Sequence, residues 1–240
     1  MKKNKKIIII AGVSILIIGT IAFLLLRNRK KKSKLPNAKR YSNFSSEPVS
    51  VSYELEPLAY GKYQWSGTTG MPIDIYLKGD TPIFKKTPDG TTYCTGYTFA
   101  VCYVCLMNNG MIDDWQNEDV KKLHTIWNQA DAKTKPKLCV EAISKSINGK
   151  KVLGKEVTLD SAKKGDFCQI WRSSGSGHSV IFLERVMKNG KVAGIKYYSS
   201  NGGVNQKTGK SGPGEATEYF TDSGGSVLKD NTYFARLNIN

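Results

Sequence analysis

Residues 7–26, IIIIAGVSILIIGTIAFLLL, form an uncharged apolar run of twenty. In hydrocarbon every backbone N–H and C=O must be paired within the segment, so a lone span of this kind is helical, and twenty residues at 1.5 Å each cover about 30 Å, one bilayer core. The run ends in Leu24-Leu25-Leu26, is followed by RNRKKKSK and shows no small-residue cleavage site. It therefore reads as a retained single-pass membrane anchor rather than a removed signal peptide.

The net charge of +16 is concentrated around this anchor: residues 1–40 hold 12 Lys and Arg and no acid, whereas 24 basic and 20 acidic residues leave only +4 on residues 41–240. Basic clusters beside a span bind anionic lipid headgroups; a nucleic-acid groove needs its charge on the folded domain, so nucleic acid is discounted as a partner. Orientation stays open. The basic head, residues 1–6, carries four Lys, and residues 27–34 carry six Lys and Arg. The heavier cluster after the span favours a cytosolic domain, while a Lys-rich head before a first apolar segment is also the pattern of an anchor with its C-terminal side out.

Residues 27–56, basic and then polar (KLPNAKRYSNFSSEP), show no sustained hydrophobic period and are expected to be a tether. Residues 57–240 have the composition of one globular domain, with irregular structure over 57–93, where Gly and Pro recur every few positions. From Cys94 the apolar spacing Phe99, Cys102, Tyr103, Leu106, closed by Gly110, predicts a buried helix over 94–108. Asn117 can cap a second helix with Val120, Leu123, His124 and Trp127 on one face. Pro136 can open a third that aligns Cys139, Ala142, Ile143 and Ser146 before Gly149. From Val157 onward the pattern is β: GDFCQIW, HSVIFLERVM and KVAGIKYYS, the last two joined by Asn189-Gly190, a strong hairpin signal. Helices followed by an antiparallel sheet give an α+β fold.

The hairpin sets a register. A two-residue turn pairs Lys188 with Lys191, and continuing it places Tyr197 opposite Phe182, Ser199 opposite Val180 and Asn201 opposite His178. Opposed residues share a sheet face about 5 Å apart, within reach for an amide oxygen to hold an imidazole N–H. One bulge would offer Ser200 instead.

Five cysteines are too few for a disulfide scaffold, and an odd count leaves at least one thiol unpaired within the chain. Cys102, Cys105, Cys139 and Cys168 read as packing. Cys94 differs because it sits at a helix start, where the helix dipole favours thiolate. With His178 after the SSGSG loop it makes a candidate nucleophile–base pair, Asn201 fixing the imidazole tautomer. The Cys94 backbone N–H can donate to an oxyanion, and Tyr63, Gln64 and Tyr76 are candidates for a second donor. The alternatives are a packed thiol, a hydrogen-bonded sheet histidine and a turn asparagine within SSNGG. His124 reads as a structural or surface residue on its helix.

The blocks YCTGYTFA, KKGDFCQIW and GHSVIFLE resemble the Cys-at-helix-start, Gly-Asp-strand and Gly-His-strand blocks of the papain-like NlpC-type peptidases and CHAP amidases, over about residues 88 to 201. The resemblance implies a papain-like fold and a thiol hydrolase of peptide or amide bonds, with bacterial cell-wall peptide (peptidoglycan) as substrate and Cys94, His178 and Asn201 in catalysis. No cofactor or metal is implied. Tyr93 and Thr95 flank the cysteine where the family often has Asp or Asn and Ser, and a long helical insertion follows Asn108.

Other readings are a non-catalytic membrane-tethered binding domain, a Cys/His/Asn acyl transferase, and a redox or zinc module on Cys102 and Cys105, with His124 and Cys139 as further ligands. The segment GGVNQKTGKSGPGE departs from a phosphate-binding loop, since Val204 stands where glycine is needed, and reads as a flexible glycine-rich loop at the site rim.

Overall fold

A computed structural model of the chain describes residues 35–128, 137–203 and 211–239. The expected head and membrane span, residues 1–26, lie outside them; among the described residues no helix is long and apolar enough to cross a membrane. Among the described residues the fold is α+β, with four α-helices and one six-stranded antiparallel sheet. The helices are α1 (Pro48–Leu55), α2 (Cys94–Asn108), α3 (Asn117–Asn128) and α4 (Cys139–Ser144). The strands are β1 (Gly154–Val157), β2 (Phe167–Trp171), β3 (Gly177–Lys188), β4 (Lys191–Asn201), β5 (Gly212–Tyr219) and β6 (Tyr233–Leu237), in the order β1-β6-β2-β3-β4-β5.

Helix α2 spans the predicted residues, and every position from Cys94 to Met107 is buried. A helix apolar on all sides needs cover on all sides; α1, α3 and the inner face of β3 and β4 provide it. Phe167, Ile181, Tyr198 and Ala235 face this helical layer. Alternate residues Cys168, Val180, Phe182, Tyr197 and Phe234 form a second apolar cluster on the opposite face, closed by Ala162, Phe220 and Val227.

The expected tether over 27–56 is corrected from Leu35 onward, because that stretch is folded against the domain. Val51 and Leu55 of α1 are fully buried, and Tyr41 is buried with its hydroxyl donating to Asp74 O at 3.0 Å. At the end of α2, Asn108 Nδ2 lies 3.0, 2.8 and 2.9 Å from the carbonyls of Tyr41, Phe44 and Ser45. Polar composition hides this segment because its buried helical face, Pro48, Val51, Ser52 and Leu55, is short and partly polar and the remaining attachment runs through its backbone.

Helix α4 is shorter than expected, since Leu138 at φ 45°, ψ −110° is outside helical space and Ser146 lies beyond its end. Pro136 is outside the described residues. Of the glycine-rich segment expected as a loop, residues 204–210 are likewise outside, but Gly212–Tyr219 is a strand paired with β4. It tolerates Pro213 because it lies at the sheet edge, where a missing N–H leaves no ladder bond broken on the outer side.

Candidate active site

Asn189 and Gly190 turn the β3–β4 hairpin with φ of 51° and 74°, the left-handed pair that a type I′ turn requires. Lys188 pairs with Lys191 as the register predicts. Two irregularities follow: Ala193 is extra on β4 and Leu183 is extra on β3. They cancel, so Phe182 again faces Tyr197 as predicted, and Ile181 faces Tyr198 as the last aligned pair.

Beyond that pair the two strands part, and the site is built in the opening. β3 continues against β2 to Gly177 and β4 continues against β5 to Asn201. Side chains bridge the gap between them. The Ser199 hydroxyl donates to Ser179 O at 2.7 Å, and His178 Nε2 meets Asn201 Oδ1 at 3.0 Å. Asn201 Nδ2 donates to the carbonyls of Ser199 and Gly214 at 2.9 and 3.2 Å, which turns Oδ1 toward the ring. Since that oxygen only accepts, Nε2 carries the proton and Nδ1 of the neutral ring is the free base. Ser200, the one-bulge alternative, is engaged instead by the Thr92 hydroxyl at 2.8 Å.

Cys94 enters this opening from the helical side. The sulfur lies against the backbone N–H groups of Ser179, next along β3 from His178, and of Thr95, and against the Tyr63 phenol. The loop carrying Tyr63 is held by a bridge to Thr92 and by the Ser211 hydroxyl, which accepts the Tyr63 N–H at 3.2 Å. The first turn of α2 packs close: a Cβ on Gly96 would stand 2.3 Å from Thr69 O.

Cys94 is 2 % exposed and His178 6 %. Burial pushes the Cys94 thiol up, against the smaller pull of the Ser179 and Thr95 N–H groups and the Arg172 charge. Burial and then Arg172 bring His178 down to about 4. The expected thiolate at the helix start therefore gives way to a neutral thiol, and the imidazole is neutral too, because desolvation of the charge outweighs the terminal amides.

His178 and Asn201 line a cleft of about 690 Å³ together with Tyr63, Arg172, Tyr197 and Glu218. Of these, Tyr63 was one of three candidate donors in the sequence; Arg172, Tyr197 and Glu218 carry no local signal, since they meet only when β2, β4 and β5 assemble. Arg172 Nε donates to Glu218 Oε2 at 2.7 Å and its Nη2 to Oε1; Tyr197 donates to Oε1 at 2.6 Å. Gln64 and Tyr76 are not part of the cleft lining.

The remaining thiols are all buried and unbridged. Cys102 and Cys105 sit in mid-α2, and among the described residues no group of three or more His, Cys, Asp or Glu side chains is placed to hold a metal ion. His124 packs between the rings of Phe84 and Phe99 at 4.3 and 4.9 Å, its Nε2 buried with no hydrogen-bond partner among the described residues. Compared with known protein families, with curated proteins and with solved structures, the chain finds no match in any of the three.

Proposed function

We propose that the domain is a papain-like thiol hydrolase, anchored to a membrane by residues 7–26, which cleaves a peptide or amide bond through an acyl-Cys94 intermediate. The observation that carries this reading is the His178–Asn201 bond across the parted ends of β3 and β4, with the Cys94 sulfur against the Ser179 N–H in the same opening.

In the proposed reaction the Cys94 sulfur forms a bond to the carbonyl carbon as its proton passes to His178 Nδ1. The C–N bond then breaks, the amine leaving with that proton; water attacks the thioester carbon with His178 again taking a proton, the C–S bond breaks to release the acid, and the proton returns from His178 to the Cys94 sulfur. The Cys94 backbone N–H, in the first turn of α2, and the Tyr63 phenol, which interacts with the Cys94 thiol, would donate to the developing oxyanion. Cell-wall peptide is the substrate class that follows from the resemblance of the three sequence blocks. An acceptor amine in place of water would make the same site an acyl transferase.

Incubation of the full chain with peptidoglycan stem peptides tests the proposal. Cys94→Ala is expected to abolish amine release, His178→Ala to slow it by about 10²–10⁴, and mass spectrometry to find an acyl group on Cys94. Hydrolysis that survives Cys94→Ala would overturn it by taking the chemistry away from this thiol, and a wild-type chain that releases no amine would leave a tethered binding domain. Because the pair rests neutral, iodoacetamide labelling of Cys94 should be slow below pH 7, while turnover persists down to an acid limb near the His178 value of about 4.

A further inference from the structure

Next to His178 and Asn201 lies a half-buried charge pair that the hydrolysis does not itself require. Arg172 follows β2 directly and its guanidinium makes a forked pair with Glu218 of β5. The same carboxylate accepts the Tyr197 hydroxyl, and the Tyr197 ring meets the His178 ring edge to face with centroids 5.5 Å apart. All four side chains line one cleft.

We propose that Glu218 is a positioning residue that sets how readily His178 takes up a proton during turnover, by neutralising Arg172 and by anchoring Tyr197 under the imidazole. The inference rests on the reading of His178 as the base. An imidazole that must become imidazolium in a dry site cannot tolerate an uncompensated guanidinium close by, since a like charge in low dielectric disfavours the charged ring. The groups around His178 are Asn201 and Tyr197 from β4, Arg172 after β2 and Glu218 from β5, with Tyr63 from the loop before α2 on the same cleft wall. Farther along the cleft wall, Lys196 is paired with Glu215 at 2.8 Å. Arg172 opposes the protonated ring and Glu218 supports it. Glu218 itself stays ionised: burial would raise its carboxyl, but the bonds from Arg172 and Tyr197 hold it below the usual range.

The sign of each substitution separates a charge effect from loss of packing. In the full chain, kept in detergent for its apolar N-terminal run, the two histidines can be titrated by NMR and told apart with a His124→Gln variant. Glu218→Gln should lower the proton affinity of His178 by about tenfold or more, Arg172→Gln should raise it by a similar factor, and the double variant should return it close to wild type. A purely structural role would move all three in one direction, and that result, or no shift in Arg172→Gln, overturns the proposal even where Glu218→Gln does not fold. The reading of the site fails separately, if His178→Ala leaves stem-peptide hydrolysis unchanged.

Discussion

The two histidines of this chain are both held uncharged, each brought to about 4 from a usual 6.5, chiefly by burial. A base whose folded value lies below its unfolded one leaves the unfolded state binding more protons in between. The stabilisation is therefore full above pH 6.5 and is lost as pH falls toward 4. For His178 this is on the order of 3 kcal/mol. The urea midpoint should fall through that window, and His124→Phe, which keeps a ring between Phe84 and Phe99, should remove part of the slope. A midpoint that is flat from pH 6.5 to 4 would contradict the burial assigned to both rings. At this scale the sequence register brought His178 to Asn201, which meet at 3.0 Å, but it did not give the charge state of the imidazole or of the Cys94 thiol. The helix-start argument for Cys94 considers local dipoles, and desolvation is a property of everything folded around the sulfur.

Helix α2 shows what an element owes to its own residues and what it owes to contact. Its span was readable because the apolar spacing from Phe99 to Leu106 is uninterrupted and Gly110 follows. Its role depends on Gly96, which brings the first turn onto the backbone of Thr69 and Gly70. Gly96→Ala would push the Cβ to 2.3 Å from Thr69 O and 2.6 Å from the Gly70 carbonyl carbon, with no flexible side chain to yield. It is expected to cost about 1–3 kcal/mol and to shift Cys94 out of line. Gly203→Ala, where an added Cβ meets nothing within 4 Å, is the neutral comparison. Denaturation midpoints of the two variants that coincide would show the close approach to be unimportant. The hairpin gives the complementary lesson. Its turn was explicit in Asn189-Gly190, whereas the paired irregularities at Ala193 and Leu183 were not, and the His178–Asn201 meeting was reached because they cancel.

Across the whole molecule, residues 35–56 act as one wall of the core. Val51 and Leu55 are fully buried, the Tyr97 hydroxyl donates to Ser52 O, and Asn108 gathers the carbonyls of Tyr41, Phe44 and Ser45. A chain lacking residues 35–56 should expose the α1-facing side of α2, bind a hydrophobic dye and lose its cooperative transition. Asn108→Ala alone should cost about 1–3 kcal/mol by leaving those carbonyls short of a donor. Cooperative unfolding of the shortened chain at an unchanged midpoint would restore the tether reading. The segment was misread because its one buried helical face, Pro48, Val51, Ser52 and Leu55, is two turns long and includes a serine, and the rest of its attachment is made through backbone carbonyls.

The amino-acid order by itself determined the α+β class, the bounds of α2 and the β3–β4 hairpin. It also placed Cys94 at a helix start and His178 opposite Asn201, since all of these follow from periodicities and turn residues within a few positions of one another. Only the tertiary structure decided that the strands part beyond Ile181–Tyr198, that Tyr63 lies on the thiol, and that Arg172, Glu218 and Tyr197 converge beside the imidazole. Those are meetings between distant segments, fixed by how sheet and helices pack together and by which charges that packing removes from water.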